Sequence, residues 1–297
     1  MSKLIPLGPT LTGTLVAPDF DRTLQAYIDY LHLSVVEEAQ VSETQALLWG
    51  KPRLAGQPIA TLSSPSDYPW LRIIGCPGVL PARPFQELGW LALEVLVADA
   101  EALGRQLENS PFEIVRHRTD SAESGTRAIQ VVGPAGEVLY LTELAEAIEP
   151  FNIAPATCQV DRLFNPVSAC LRRDEALAVF NKLGARRNWS FDSRLPTVNS
   201  AHGLDPSVRH PVATVQLAGH STVEINQLGV ARSRPPSEGL LPAGIAMVSF
   251  VLDNLDNMGV KPVSPPRHLD GTLYRGQRVA ACRGAGGELL ELIEAAV

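Results

Sequence analysis

Glu291 is the ionisable residue that the sequence places most clearly for chemistry. It lies in the closing segment GAGGELLELIE, residues 284–294, with apolar residues on both sides. An ionised carboxylate on an otherwise apolar strand costs several kcal/mol unless a partner or water compensates it. We therefore expect Glu291 to be paired, protonated or facing a wet cleft, where a carboxylate could act as a general base.

An earlier segment repeats this design. Residues 133–143 read GPAGEVLYLTE, with Tyr140 where Glu291 would fall, and residues 111–117 (PFEIVRH) resemble residues 262–268 (PVSPPRH) in their start and their Arg-His end. Both pairs occupy the same place within their parts of the chain. A fixed internal repeat of this kind predicts a repeat architecture.

The elements that position these residues also recur. Asp19 can cap a helix over residues 20–33, whose apolar residues have helical spacing and which follows a strand and precedes about three more. The same order of strand, helix and three strands starts at four places, residues 10–17, 91–97, 159–171 and 245–252. Residues 45–50 and 260–266 are among the expected strands. We predict an α+β fold of four βαβββ units in two tandem domains, residues 1–150 and 151–297, each with a curled mixed sheet and two consecutive units.

Composition narrows the class of protein. The chain has 297 residues, 45% hydrophobic and 19% charged, with a net charge of −7. These values favour globular domains and argue against a nucleic-acid partner, which would require a basic stripe. No apolar run approaches the roughly 20 residues of a membrane span, and no signal peptide is recognised, so a cytoplasmic protein is expected. The four cysteines form no C-x-x-C pair and are expected to be small core residues.

The unit order and two segments, DFDRTLQAYIDYLHL at residues 19–33 and the closing GAGGELLELIE, resemble the vicinal oxygen chelate superfamily. That family includes glyoxalase I, bleomycin-resistance proteins and the type I extradiol dioxygenases, and the tandem arrangement is most similar to the last group. The resemblance implies that paired units curl into a cleft lined by the first and last strands of each unit. Metal-binding members place two His and a Glu there, a donor set that suits divalent iron, manganese, zinc or nickel.

In the second domain, the resemblance puts Arg162 and Met247 at the first-strand positions where metal-binding relatives have His. The last-strand positions fall on Glu224 and Glu291. In the first domain the positions fall near four residues, Thr12, Ile74, Ala92 and Tyr140. Without the histidines, we expect a protein that needs no cofactor; the alternative is iron or manganese held by ligands at other positions.

The chemistry expected of this set centres on Arg162. Its guanidinium is predicted to face Glu291 or Glu224 and to anchor an acidic or carbonyl ligand, with Glu291 as catalytic base; the alternative is a purely structural salt bridge. Two neighbouring carboxylates could raise one pKa toward neutrality. Met247 and Tyr140 are candidate ligand-binding residues, with core packing as the alternative for each.

Two histidines complete the candidate set. His268, with its counterpart His117, could lie at a cleft mouth or at a solvated strand end. His220 precedes the Glu224 strand and could bind ligand; with His202 and His210 it could also form a substitute metal site, although the spacing matches no usual ligand pattern.

The leading functional hypothesis is a metal-independent superfamily member that binds a small aromatic or carbonyl ligand in the second domain and catalyses isomerisation or lyase chemistry. Three alternatives stay open: a metal-dependent extradiol dioxygenase, a non-catalytic ligand-sequestering protein like the bleomycin-resistance proteins, and a structural partner subunit. A homodimer is plausible because such sheets expose strand edges.

Overall fold

The computed structural model describes residues 6–121, 126–185, 187–235 and 239–296. The first βαβββ unit begins with a strand, and Asp19 caps the helix that follows this strand. Its elements are β1 (Leu7–Ala17), α1 (Phe20–Leu31), β2 (Ser34–Gln40), α2 (Glu43–Leu48), a 3-10 turn (Pro52–Leu54), β3 (Pro58–Ser63) and β4 (Leu71–Gly75). The second unit contains β5 (Gly89–Val97), α3 (Ala100–Leu107), β6 (Glu113–Ser121), β7 (Thr126–Val132) and β8 (Val138–Leu144).

The second half of the chain repeats this order. The third unit contains β9 (Val160–Cys170), α4 (Arg173–Lys182), β10 (Asn188–Arg194), α5 (Pro196–Ala201), β11 (Arg209–Gln216) and β12 (Thr222–Gln227). The fourth contains β13 (Gly244–Leu252), a 3-10 turn (Leu255–Asn257), β14 (Arg267–His268), β15 (Arg278–Arg283) and β16 (Leu289–Glu294). The predicted α+β class and the four repeated units are confirmed.

Two local predictions were wrong. Residues 45–50 were expected to be a strand, but the side chain of Ser42 and that of Gln45 form a capping box that starts α2. Residues 260–266 were expected to be a strand, but within this segment Pro262 forms only an isolated bridge to Cys282. The strand β14 follows the segment and contains two residues, Arg267–His268. Proline lacks the N–H that a continuous ladder needs.

The strands of the described residues form two eight-stranded sheets. The first sheet has the order β14-β15-β16-β13-β1-β4-β3-β2, and the second has the order β10-β11-β12-β9-β5-β8-β7-β6. Both are mixed, because the first and last strands of a unit run parallel while β1 pairs antiparallel with β13, and β5 with β9.

This topology corrects the expected pairing of units. The first sheet joins the first and fourth units, and the second joins the second and third, so the predicted boundary at residue 150 runs through the second sheet, between β8 and β9. Within each unit, one edge of the first strand stays unpaired. The first strand of any other unit can pair with this edge. The repeat pattern alone therefore does not select the partner.

Among the residues that the structure describes, one apolar core joins the two sheets. It contains side chains from both sheets and from α1, α3 and α4, among them Leu15, Leu93 and Phe180. The sheets approach closely at Gly13, where a Cβ atom would lie 2.4 Å from Cδ1 of Leu93. The other faces of the sheets carry separate apolar clusters and the polar centres described below.

Two further expectations concern the cysteines and the membrane. Cys76, Cys170 and Cys282 are buried free thiols, as predicted, and Cys158 is half-buried. In the part of the chain that the structure describes, no helix is long and apolar enough to cross a membrane.

A buried hydrogen bond joins the first unit to the second, and we expect it to contribute to the stability of the core. Tyr27 on α1 donates to Oε1 of Glu137 (2.7 Å), whose other oxygen accepts from the Ala135 amide (2.9 Å). Because Tyr27→Phe leaves a buried carboxyl oxygen without its donor, we expect it to lower the free energy of unfolding by about 1–3 kcal/mol. Urea denaturation measures the change, with Tyr30→Phe on the same helix as the control. Equal effects from both variants would contradict a role for this bond.

Candidate functional site

Parallel strand pairing creates four equivalent pairs of side-chain positions, each joining the first strand of a unit to its last. Each first-strand position lies five residues before the N-cap of the following helix or 3-10 turn. The pairs are Thr14 with Arg72, Glu94 with Tyr140, Val167 with Glu224, and Ser249 with Glu291. We call the Thr14, Arg72, Ser249 and Glu291 set the first centre, and the Glu94, Tyr140, Val167 and Glu224 set the second centre.

These pairs correct several predicted positions. The last-strand predictions Tyr140, Glu224 and Glu291 lie in the centres. Three residues predicted for first strands lie two residues before the paired positions: Thr12, Ala92 and Met247. The predicted last-strand residue Ile74 lies two residues after Arg72. A shift of two keeps a residue on the same face of its strand but moves it along the cleft. Met247 is fully buried in the apolar cluster of that face, which agrees with its packing alternative.

Glu291 in the first centre is completely buried, with an exposed fraction of 0%. Its Oε2 accepts hydrogen bonds from Nη2 of Arg72 (3.0 Å) and the hydroxyl of Ser249 (2.6 Å). Its Oε1 accepts from Nε1 of Trp49 (2.8 Å) and the hydroxyl of Tyr274 (3.0 Å). The carboxylate therefore has four donors, which fill its usual capacity as an acceptor.

Arg72 supplies the positive charge opposite Glu291. Its Nε donates to Oγ1 of Thr14 (3.0 Å), its Nη1 donates to the Tyr274 hydroxyl, and the guanidinium lies 5.2 Å from the ring centroid of Trp49. Burial, the largest influence, acts to lower the pKa of Arg72, but the charge of Glu291 with Tyr274 outweighs it, so the net pKa is raised. The first centre is consequently a buried network in which the ion pair between Arg72 and Glu291 is surrounded by hydrogen bonds from neighbouring side chains.

The predicted contact between Arg162 and Glu291 or Glu224 was wrong. Arg162 donates to Oδ2 of Asp161 (2.8 Å) and to the Ala154 carbonyl (3.0 Å), and it lies on β9 of the second sheet, whereas Glu291 lies on β16 of the first. Sequence reasoning missed Arg72. The signal was available, because Arg72 is the one charged residue in the apolar strand LRIIG, as Glu291 is in its own apolar run.

A cavity of about 440 Å³ opens next to the first centre. Its lining includes Arg72 and Tyr274 from the network together with Gln45, Thr61 and His268. His268 was predicted at a cleft mouth; it is exposed and its Nδ1 lies 2.9 Å from the Gly276 carbonyl oxygen. Its role in ligand binding stays a prediction.

The second centre is half-buried and built differently. Glu94 accepts from the Thr142 hydroxyl (2.7 Å) and from Nδ2 of Asn165 (2.6 Å), while Glu224 accepts from Nδ2 of Asn226 (3.0 Å). Among the described side chains, no cation forms an ion pair with either carboxyl group. Glu224 and Glu291 were expected to be neighbours, but they lie in different sheets, and the carboxyl partner of Glu224 is Glu94.

The two carboxyl groups of the second centre influence one another. Burial, followed by the charge of Glu94, raises the pKa of Glu224 to about 7, against the opposing hydrogen bond from Asn226. Burial likewise raises the pKa of Glu94. Burial and the two carboxylates raise the pKa of Tyr140, so its phenol stays protonated and can donate a hydrogen bond. The second centre can hold and release a proton near neutral pH.

The residues present do not fit the metal that the fold family implies. Within the described residues, no three His, Cys, Asp or Glu side chains are grouped so that they could hold an ion. Glu94 already uses both oxygens as acceptors, and the paired positions supply no imidazole. Metal independence stays a prediction, which elemental analysis of the purified protein for iron and manganese measures directly.

The histidines proposed as a substitute metal site do not converge on Glu224. His210 bonds to Oδ1 of Asn199 (2.6 Å), His202 lies 3.1 Å from the Phe85 carbonyl oxygen, and His220 is exposed in a turn with a φ of 59°. Within the described residues, these histidines and Glu224 form no group that could hold an ion, so the proposed cluster with Glu224 was wrong. A ligand-binding role for His220 alone stays a prediction.

Comparison with known proteins identifies related folds. No protein-family model matches the chain, and no curated protein matches it. Glyoxalase I from Zea mays superposes with a TM-score of 0.63 at 14% identity, covering 96% of this chain and 92% of that chain, and a mutant of the same protein gives 0.64 at 13%, covering 96% and 93%. A proposed dioxygenase from Bacillus subtilis gives 0.64 at 10%, covering 98% and 86%. Identities this low show a shared fold and nothing of activity.

Proposed function

Because the chain has the fold of the vicinal oxygen chelate superfamily, we propose that it is a metal-independent member that moves a proton on a small carbonyl ligand. The reacting groups would be Glu94 and Glu224 in the second centre, and the chemistry an isomerisation or lyase reaction. The observation that carries this proposal is the half-buried carboxyl pair, without an ion-pair partner among the described residues, in which the pKa of Glu224 is about 7.

The groups of the second centre suit distinct steps of such a reaction. Ionised Glu224 removes a proton from the carbon next to a carbonyl group, and the electron pair moves onto the carbonyl oxygen. Tyr140 donates a hydrogen bond to that oxygen as its charge develops. With an α-hydroxycarbonyl ligand, the protonated Glu224 then returns the proton to the former carbonyl carbon, while the hydroxyl proton of the adjacent carbon moves to the former carbonyl oxygen. The isomerisation therefore balances without a further reactant.

The first centre does not support the same role. Its carboxylate Glu291 has four donors and no exposed surface, so it is a structural brace in this proposal rather than the catalytic base predicted from sequence. The cavity beside it favours a second candidate function, ligand binding without turnover. That candidate would be supported by a ligand whose affinity is unchanged in Glu224→Gln.

Exchange of carbon-bound hydrogen for deuterium tests the reaction. With hydroxyacetone in D₂O, followed by proton NMR, the wild-type protein is expected to accelerate exchange, and Glu224→Gln to lower the enzymatic rate about 10²-fold or more. The wild-type rate should rise with pH through about 7, because the ionised carboxylate is the base.

Glu146→Gln, which changes an exposed carboxylate, serves as the control for the exchange experiment and should keep the wild-type rate. A wild-type protein that exchanges hydroxyacetone and related α-hydroxyketones no faster than buffer would defeat the proposal. So would a Glu224→Gln variant with an undiminished rate.

A further inference from the structure

Two turns of the chain have the same backbone but different surroundings. In the β7–β8 turn the Gly133 amide bonds to the Glu137 carbonyl (2.8 Å), and in the β15–β16 turn the Gly284 amide bonds to the Glu288 carbonyl (2.9 Å). The penultimate glycines have φ angles of 80° and 84°. Glu137 and Glu288 therefore occupy equivalent positions, each in a Gly-rich turn that enters the last strand of its unit.

The two carboxyl groups differ in their partners. Glu137 accepts hydrogen bonds on both oxygens, from Tyr27 and from the Ala135 amide. Glu288 is only 4% exposed, and no described side chain donates a hydrogen bond to either of its oxygens, which face only the backbone amides of Gly286 and Glu288. The helix position equivalent to Tyr27, eight residues after the N-cap, is Phe180 in α4, which has no hydroxyl group.

The cavities beside the two carboxyl groups also differ, in volume. The cavity at Glu137 is only about 20 Å³, whereas the cavity at Glu288 is about 260 Å³. A buried carboxyl group with too few donors costs free energy, and such a group lining an open cavity is best explained by a ligand that supplies the donor that Tyr27 provides at Glu137.

Apart from Glu288, the charged side chains that line this cavity are all cationic. Lys51, Arg234 and Arg283 all line it. Burial lowers the pKa of Lys51, and the like charge of Arg283 lowers it further, while the structure pairs neither with a described carboxylate. Arg234 donates to the carbonyls of Ile245 (2.7 Å) and Trp90 (2.6 Å), and its Nε forms a longer ion pair with Oε2 of Glu87 (3.7 Å). An anion between Lys51 and Arg283 would relieve their repulsion.

We propose that this cavity, lined by Lys51, Arg234, Arg283 and Glu288, binds a small hydroxylated anion. The anionic group, a carboxylate or a phosphate ester, lies between Lys51 and Arg283, and a hydroxyl group donates to Glu288. A hydroxyl fits better than an ammonium group, because the charge of Arg234 acts on the same carboxyl group. The site is separate from the second centre and does not depend on the reaction proposed there.

Calorimetric titration with three-carbon probes tests each half of the recognition. Glycerate carries both groups, propionate has the anion without a hydroxyl, and glycerol has hydroxyls without the anion. The wild-type protein is expected to bind glycerate about tenfold more tightly than either partial probe, since one hydrogen bond to a charged group contributes about that factor. Glycerol 3-phosphate in place of glycerate distinguishes a phosphate ester from a carboxylate as the preferred anion.

Variants assign the contacts. Glu288→Met should abolish the preference for glycerate over propionate, and Lys51→Gln with Arg283→Gln should weaken both anions about tenfold or more. Glu137→Gln, at the equivalent turn with the nearly closed cavity, is the matched control and should leave glycerate binding unchanged. The proposal is overturned if the wild-type protein shows no saturable binding of glycerate or glycerol 3-phosphate, or if these variants bind as the wild type does.

Discussion

Arg72→Met is expected to destabilise the protein by about 3–5 kcal/mol, because it leaves the carboxylate of Glu291 buried and without its counter-charge. Arg72 is 1% exposed and Glu291 0%, so the ion pair is out of contact with bulk water. Denaturation in urea, followed through the fluorescence of tryptophan, measures the loss. Trp49 lies in the same network and should report on it.

The reverse change and the double variant make this prediction specific. Glu291→Met should cost a similar amount, since it strands the guanidinium. The double variant should be less destabilised than the sum of the two single variants, by a coupling free energy of about 2 kcal/mol. Glu101→Gln, which breaks the exposed Arg105 pair, is the control and should change stability by less than about 1 kcal/mol. Additive losses at Arg72 and Glu291 would show that the ion pair is not coupled.

The free energy of unfolding is expected to fall as pH rises from about 4.5 to about 7. Burial raises the pKa of Glu137, Glu224 and Glu288 from the ordinary 4.5 to about 7. In the folded protein each group binds its proton more tightly than in the unfolded chain. Their contribution is therefore fully present below pH 4.5 and is lost as pH rises through about 7. A rise of this size corresponds to about 3 kcal/mol per group.

Unfolding in urea at pH 5 and at pH 8 measures this dependence. Glu288→Gln should be more stable than the wild type at pH 8 and should reduce the difference between the two pH values, because glutamine is neutral at both. Glu137→Gln should reduce it in the same way. Glu38→Gln, at an exposed residue, should leave the difference unaltered. A wild-type protein that is at least as stable at pH 8 as at pH 5 would refute the assignment.

The unit architecture could be predicted from sequence because its signals are local. Asp19 and Asp99 cap their helices through their own side chains, and strand alternation depends on nearest neighbours. The pairing of the first unit with the fourth depends instead on contacts more than 200 residues apart, such as Thr14 opposite Met247, for which a single sequence has no local signal.

Of the ion pair in the first centre, Glu291 could be predicted from local sequence and Arg72 could not. The apolar surroundings of Glu291 predicted a carboxyl group that is paired, protonated or facing a wet cleft, and in the structure it is paired with a cation. Its identity was missed because Arg162 was sought by position within the second half of the chain, whereas the sheet takes Arg72 from the first unit. Trp49 and Tyr274 reach the same carboxylate from connecting segments, which no strand pattern would locate.

The order of strands in the two sheets also has a consequence for how the molecule assembles. The second sheet is built from one continuous stretch, β5 to β12, while the first sheet joins β1–β4 to β13–β16 across it. During synthesis, the second sheet can therefore form before the fourth unit has left the ribosome, and the first unit must wait for its partner. Closure of this long loop makes the first sheet the slower one to form, and its ion pair between Arg72 and Glu291 one of the last contacts to be made.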